Sequence, residues 1–297
     1  MKEKLIDILS PALYLSLKKI KNKKIVKSFK NEIAGNEKFY NIHEGKRCFI
    51  IANGPSAKDL DFSLFRNEIT FTVNQMVRNP KFKELKSNYH LWADRIFFEI
   101  DEKNPEDLEM LETIQAVSRL SPLTEVFYES MAKPMIEKYK LKETSNVNYF
   151  QVLEISNRHM ERSLIDFTQP VPNYPTVVDH AILLAVYMGI KEIYLLGCDC
   201  TSIINITMNK MQQSQNSLYA FEMTENTAKR LERYSQQRDM IEELSSQLEV
   251  FRSYQALDLY CKHNGVTLKN ATDGGLLDCI ERVDLKDLMH RKEEVSI

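Results

Sequence analysis

Ile50-Ile51-Ala52-Asn53-Gly54-Pro55-Ser56 and, about 140 residues later, Ile193-Tyr194-Leu195-Leu196-Gly197-Cys198-Asp199 decide how this chain folds. Each is an apolar burst that ends in polar residues. A strand buried on both faces of a parallel sheet reads this way, and it delivers its last side chains to the ligand-binding edge. Working outward from the first run, Arg47 to Asn53 predicts a strand. Pro55-Ser56 with Asp59 then predicts a helix, Ser56 as N-cap and Asp59 in the capping-box position. Glu68 to Asn74 and Tyr89 to Asp94 predict two further strands with polar ends. Residues 105 to 149 mix charged helical patterns with a strand around Val126-Phe127-Tyr128.

Leading into the second run, Pro170 to Pro175 reads as a rigid connection, and Thr176-Val177-Val178-Asp179 opens an apolar helix that continues to Met188 and stops at Gly189. Ile193 to Gly197 is the buried strand that follows. From Thr201 to about Gln255 the sequence turns polar and helix-forming, as a lid would. Leu257, Tyr260 and Cys261 return to a core helix, Gly265 ends it, and Val266 to Asn270 forms a last strand. Alternation of this kind predicts an α/β fold: a Rossmann-like, mostly parallel sheet with helices on both faces and a helical lid insertion at about 201–255. The chain divides into a basic amphipathic arm (1–45), the main domain (46–288) and a tail (289–297).

The 297 residues are enough for one such domain with an insertion. A formal net charge of -2 removes the electrostatic pull toward nucleic acid, and no nucleic-acid partner is expected. Only eight glycines are present, which argues against a glycine-rich nucleotide loop. Five cysteines without a CxxC pair point to reduced thiols and a cytoplasmic location rather than a disulfide framework. No apolar run of membrane-spanning length occurs, and no signal peptide fits. The arm carries Leu5, Ile6, Leu9, Leu13, Leu17 and Ile20 at near-helical spacing, followed by seven lysines between Lys18 and Lys30. Such a segment suits either peripheral contact with anionic lipid at the inner membrane face or a helix packed on the domain.

Chemistry is expected at the strand ends. The Asn53-Gly54-Pro55-Ser56 turn, if it opens a helix, offers backbone N–H groups to phosphate, with Gly54 permitting close approach; the same four residues also suit a plain strand-to-helix turn. Asp94 and Asp199 end separate strands and either meet at one edge as general base, ribose acceptor or Mg2+ ligands, or cap their own loops. Asn74 ends another strand. His180 sits in the first turn of the apolar helix, as acid-base group or packed side chain. No metal-ligand spacing links the histidines, so no resident metal is expected. Asn270-Ala271-Thr272-Asp273-Gly274-Gly275 could complete a nucleotide or sugar pocket, with Arg282 as phosphate clamp or as ion-pair partner of Glu281 or Asp284.

Taken together, CFIIANGPSAKDLD, TFTVNQM, TVVDHAILLAVYMGIKEIYLLGCDCTS and LKNATDGGLLDCIERVDL resemble the MptE-like (6-hydroxymethylpterin diphosphokinase-like) family of bacterial surface-polysaccharide loci. More distantly the chain is similar to the family 42 sialyltransferases, which share the strand-NGPS opening, the GxKEIYLxGxD segment and a following Tyr-Ala-Phe-acidic run, here Tyr219 to Glu222. The similarity spans roughly residues 46 to 288. For the sialyltransferases it implies a CMP-linked sugar donor used without metal, with Asn53, Gly54 and Ser56 at the nucleotide phosphate, Asn74 at the donor, and Asn270 to Gly275 near the nucleotide. That family's lid histidine has no counterpart between His180 and His263. For the pterin kinases it implies ATP, Mg2+ and diphosphate transfer near Asp199.

The expected activity is a glycosyltransferase taking a nucleotide-activated sugar to a glycan or lipid-linked acceptor in surface polysaccharide synthesis. Asp199, Glu222 or Asp94 serves as base, with His180 next; Asn53, Gly54, Pro55, Ser56, Asn74, Asn270, Thr272, Asp273 and Gly274 hold the donor. The alternatives are a Mg-ATP diphosphokinase and a non-catalytic nucleotide-binding protein.

Overall fold

The computed structural model describes residues 17, 20, 23, 27, 29–153, 165–210, 219–234 and 239–289. Most of the basic arm and the tail from 290 onward lie outside the described residues, and so does the membrane contact expected of the arm.

In chain order the strands are β1 (Arg47–Ile51), β2 (Ile69–Val73), β3 (Tyr89–Trp92), β4 (Glu125–Glu129), β5 (Asn146–Phe150), β6 (Val152–Leu153), β7 (Val171–Pro172), β8 (Glu192–Leu196) and β9 (Thr267–Asn270). The α-helices are α1 (Lys30–Ala34), α2 (Phe82–Leu85), α3 (Pro105–Leu120), α4 (Lys133–Lys138), α5 (Val177–Tyr187), α6 (Ser202–Lys210), α7 (Glu225–Tyr234) and α8 (Met240–His263). Seven strands form one sheet in the order β5-β4-β3-β2-β1-β8-β9, every pair parallel. The expected Rossmann-like α/β fold is therefore present.

Alternation along the central strands explains the layers. Cys48 and Ile50 of β1 and Ile193 and Leu195 of β8 face a core shared with α5 and α8, while Phe49, Ile51, Tyr194 and Leu196 face the core containing α3 and α4. Both sides being apolar, these strands carry no polar alternation, and that is why two bare apolar runs located the sheet. Strand order reverses between β1, whose other neighbour is β2, and β8. Ligands of open α/β sheets bind beyond the carboxyl ends of strands at such a switch point. Here that point is flanked by the two runs read first.

Several boundaries differ from expectation. No α-helix follows β1: residues Pro55–Ala57 make a single 3₁₀ turn whose N-cap is Gly54, without a side-chain cap. Ser56 and Asp59 thus form no capping box, because the Ser56 side chain is committed elsewhere. Capping boxes occur instead at Thr176/Asp179 and at Asp239/Glu242. The Pro170 to Pro175 connection contains β7, paired with β6. Pro172 is tolerated there because the pairing bonds are donated by Val171 N and Asn173 N, leaving no need for the missing N–H. Edge strand β5, with Asn146 and Asn148 in alternation, carried too weak an apolar signal to be read. The helix that returns to the core does not start near 257: α8 runs unbroken from the lid region through 255. No helix among the described residues is long and apolar enough to cross a membrane, and all five cysteines are free thiols.

Candidate functional site

The two runs meet across the switch point. Gly54 N donates to the Gly197 carbonyl at 2.8 Å. Two residues further, the Asp199 carboxylate accepts from both Ser56 N (3.3 Å) and Ser56 Oγ (2.8 Å). A side chain at position 54 is impossible in this arrangement, since its Cβ would stand 1.8 Å from Asp199 Oδ2 and 2.4 Å from the Gly197 carbonyl oxygen. Gly54 has an ordinary φ of -66°, so the requirement is for space and not for backbone freedom. On the other side, Leu276 N donates to the Asp199 carbonyl at 2.7 Å. Gly275, at φ +78°, lies with its missing Cβ against the Asp199 backbone. Asp199 is therefore a brace between three loops. Burial raises its carboxyl above the usual range, the Asp273 charge adds to this, and the bonds from Ser56 oppose it.

This brace changes what the first turn can offer. Gly54 N and Ser56 N are both engaged, Pro55 has no N–H, and the helix dipole expected behind the turn is absent. The space beside Gly54 that a ligand was expected to use is filled by the Asp199 carboxylate.

A second group lies on the β2–β3 side of the switch. Ile51 of β1 is in register with Thr72 of β2, so Asn53 and Asn74 occupy equivalent positions two residues beyond. Asn74 is buried and takes a left-handed backbone, φ +45°, and its Nδ2 donates to Asp94 Oδ2 at 3.3 Å. Asp94 stands exposed just beyond the end of β3. The protein around it nonetheless raises its carboxyl above the usual range by burial, the Asn74 amide opposing. Asn53 Oδ1, Asn74 Oδ1 and the neighbouring Gln75 Oε1 are buried and have no hydrogen-bond partner. Gln75 was not singled out in the sequence; nothing local marks it, since its burial depends on packing against the loop after β3.

The run Tyr219 to Glu222 closes over this group. Ala220 N donates to the Asn53 carbonyl at 2.9 Å, and Asn79 Nδ2 donates to the Ala220 carbonyl at 3.1 Å. Tyr219 and Phe221 stack at 5.4 Å, with the Arg78 guanidinium over the Phe221 ring. Glu222 itself is exposed. Helix α7, next in the chain, is fastened to α3 by Arg230 and Arg233 on the buried Asp107 and by Arg233 on Glu106.

A third group borders a cavity of about 870 Å³ beyond β8 and β9, lined by Ser56, Asp59, Thr272, Asp273, Gly274 and Arg282 among others. Asn270, fully buried, spends its Nδ2 on the Leu277 carbonyl and its Oδ1 on Thr272 N, so it shapes the loop. Arg282 pairs with neither Glu281 nor Asp284: its guanidinium donates to the carbonyls of Thr272, Gly274, Gly275 and Leu277 and closes the turn.

His180 is not among these groups. It is buried beside Phe150, with Nδ1 3.1 Å from the Thr176 carbonyl and Nε2 3.2 Å from that of Pro172. Burial holds the imidazole down to about 4, the two carbonyls working the other way. Among the described residues, no group of three or more His, Cys, Asp or Glu side chains is arranged to hold a metal ion.

No family model matches the chain, and no curated protein matches it. Solved structures do. The chain is similar to the sialyltransferase CstII from Campylobacter jejuni in complex with cytidine-5'-monophosphate, at 18% identity and a TM-score of 0.44, over 81% of this chain and 86% of that one. It is similar to the monofunctional alpha-2,3-sialyltransferase Cst-I from the same organism at 13% identity and a TM-score of 0.45, over 85% and 94% of the two chains. A CstII complex with trisaccharide acceptor and CMP gives 19% identity, a TM-score of 0.44, and 80% and 86% coverage. The resemblance to the pterin-kinase-like family stays one of sequence motifs.

Proposed function

We propose that this protein is a glycosyltransferase that takes its sugar from a nucleotide-activated donor, a CMP-linked sugar being the form to test first. The observation that carries this reading is the pair of buried amide oxygens on Asn53 and Asn74, without donors, beyond the ends of the adjacent strands β1 and β2. A buried acceptor left unpaired costs about 1–3 kcal/mol, and a ligand rich in hydroxyl or amino donors removes that cost on binding. Ribose and sugar hydroxyls have this chemistry. Phosphate oxygens, acceptors themselves, do not.

In the proposed reaction an acceptor hydroxyl of a glycan attacks the anomeric carbon, the bond from that carbon to the phosphate oxygen breaks, and the nucleotide leaves with the bonding electrons. Asp94 takes the hydroxyl proton. Its raised carboxyl makes it a better base than an ordinary aspartate, and its exposure gives it access. Asp199, held by Ser56, is a positioning residue that fixes the turn following Asn53. Thr272, Asp273 and Gly274 border the neighbouring cavity and are assigned to the remainder of the donor.

Thermal shift with CMP, CDP, UDP, GDP and ATP, each with and without Mg2+, tests the reading. A ligand at a hundred times its Kd stabilises by about 2.7 kcal/mol, which moves Tm by several degrees. CMP is expected to raise Tm without Mg2+, and Asn53→Ala or Asn74→Gly to lose at least tenfold in affinity. Glycine is the right change at 74 because it keeps the left-handed backbone while removing the amide. Stabilisation confined to ATP with Mg2+ would replace this reading with a diphosphokinase, and CMP binding that survives both substitutions would remove the amide site.

A further inference from the structure

Asn79 closes the 3₁₀ turn that opens with Asn74, and it is 2% exposed. A buried side-chain amide must place a carbonyl oxygen and an NH2 group, and leaving either unpaired is costly. Here both are placed. Asn79 Oδ1 accepts from Lys81 N at 2.9 Å, within its own loop. Asn79 Nδ2 donates to two other segments: to the carbonyls of Ala57 (3.3 Å) and Lys58 (3.4 Å), just after the Asn53–Ser56 turn, and to the carbonyl of Ala220 (3.1 Å). Its backbone is held as well, Asn79 N donating to the Met76 carbonyl and Phe82 N donating to the Asn79 carbonyl. One side chain thus joins its own loop to segments 22 and 141 residues away in the chain.

Each of the joined segments carries part of the site. Ala220 is fully buried and both its backbone groups are taken, its N–H by the Asn53 carbonyl at 2.9 Å and its own carbonyl by Asn79. The Asn53 carbonyl belongs to the same planar peptide as Gly54 N, which donates to the Gly197 carbonyl. That peptide is therefore pinned at both ends, and the Asn53 side chain is rooted beside it. Ala57 follows Ser56, which Asp199 holds. Asn79 itself belongs to the loop of Asn74. The two amides with unpaired oxygens, Asn53 and Asn74, are thus tied to each other through a third amide that has none left unpaired.

Glu109 of α3 fastens the next stretch of chain by other means, accepting from Arg78 (2.6 Å), Thr224 (2.7 Å) and Asn226 (2.9 Å) at the start of α7. These bonds hold α7 and involve neither the Asn53 turn nor Ala220. We infer that Asn79 is a positioning residue: it sets the placement of the Asn53 and Asn74 amides by tying the loop of one to the turn of the other, and it holds Ala220 against the Asn53 carbonyl. The inference rests on the reading of Asn53 and Asn74 as the ligand's partners. Only donors serve at this position, since three carbonyl oxygens meet the Asn79 NH2 group.

Asn79→Asp on the full chain tests this, read by hydrogen exchange of the Ala220 and Gly54 amides and by calorimetric titration with CMP. Aspartate keeps the shape and the bond from Lys81 N but sets an acceptor against three carbonyl oxygens. Relative to the amides of β8, which report global unfolding, Ala220 and Gly54 are expected to exchange roughly tenfold faster, and CMP affinity to fall by roughly the same factor. Glu109→Gln is expected to change neither by more than about twofold. Asn79→Ala carries the same expectations should the aspartate variant fail to fold. A lower Tm with an unchanged CMP dissociation constant overturns the inference, because Asn79 would then serve stability alone. So does unchanged exchange at Ala220 and Gly54, or a Glu109→Gln variant as damaging as Asn79→Asp. A wild type that binds no nucleotide removes the nucleotide-donor reading by itself, and the exchange of the two amides then decides whether Asn79 holds the turn.

Discussion

Gly54→Ala is expected to destabilise the protein by about 3 kcal/mol or more, and to abolish binding at the strand ends, although alanine suits the local backbone. Its new methyl would have to displace the Asp199 carboxylate, 1.8 Å away, and the Gly197 carbonyl, 2.4 Å away. The first obstacle is a side chain that also holds Ser56. The second is backbone next to β8, bonded to Gly54 N, and it has nowhere to retreat. Urea denaturation of Gly54→Ala, Asp199→Ala and the double variant measures the share of each. Removing the carboxylate relieves one clash only, so the double variant is expected to lose at least 1 kcal/mol less than the two single losses combined, while remaining less stable than Asp199→Ala. Strict additivity, or a single-variant loss under 0.5 kcal/mol, would mean that the brace is not what holds the two loops together.

The second large effect concerns pH. Asp179 is fully buried at the start of α5, where its Oδ2 accepts from Thr176 N (2.9 Å) and Ser253 Oγ (3.1 Å), while its Oδ1 has no partner. Burial pushes this carboxyl up to about 7 against an ordinary 3.8. The folded state therefore holds a proton that the unfolded chain has released, and the stabilisation present below pH 3.8 is lost as pH rises toward 7. The shift corresponds to roughly 4 kcal/mol. Neighbouring His180 acts in the opposite sense: with its imidazole down at about 4, it contributes stability above 6.5 that disappears as pH falls toward 4. Over the shared window the two slopes largely cancel.

Asp179→Asn is accordingly expected to unmask the histidine. Asparagine keeps the two acceptor bonds and removes the ionisable group. The stability difference between variant and wild type is expected to grow by roughly 4 kcal/mol from pH 4 to pH 7, in favour of the variant. Denaturant titrations at one-unit steps read that difference directly, with every other titrating group shared by the two proteins. A difference constant across the window would show that Asp179 keeps an ordinary carboxyl in the folded state.

Much of the scaffold was legible because it rests on local pattern. Phe49 to Ile51 and Ile193 to Leu196 announce doubly buried strands, and Thr176 to Asp179 announces a capped helix. The same local logic failed at Ser56 and Asp59. A serine three residues before an acid reads as a capping box only if nothing distant competes for the serine, and here Asp199 does, from 143 residues away. His180 was ambiguous for the same reason: a histidine in a first helical turn faces solvent or core according to what packs beside it, and Phe150 and the Pro172 carbonyl decide that. Gln75 and Asn79 gave no signal, being ordinary amides whose burial is created by other segments.

Hydrophobic periodicity over five to ten residues carries the parallel α/β framework and the expectation of chemistry at the strand ends, whereas the strand order that puts the switch between β1 and β8 is a property of the assembled sheet. Which polar residues do which work depends on contacts between distant segments. Packing commits Asp199 to bracing Ser56, Asn270 and Arg282 to shaping their loop, and His180 to the core, while the side-chain oxygens of Asn53 and Asn74 are left buried without a partner. A polar side chain's role is set by whether its hydrogen bonds are already satisfied. Those partners arrive from strands and loops far apart in the chain.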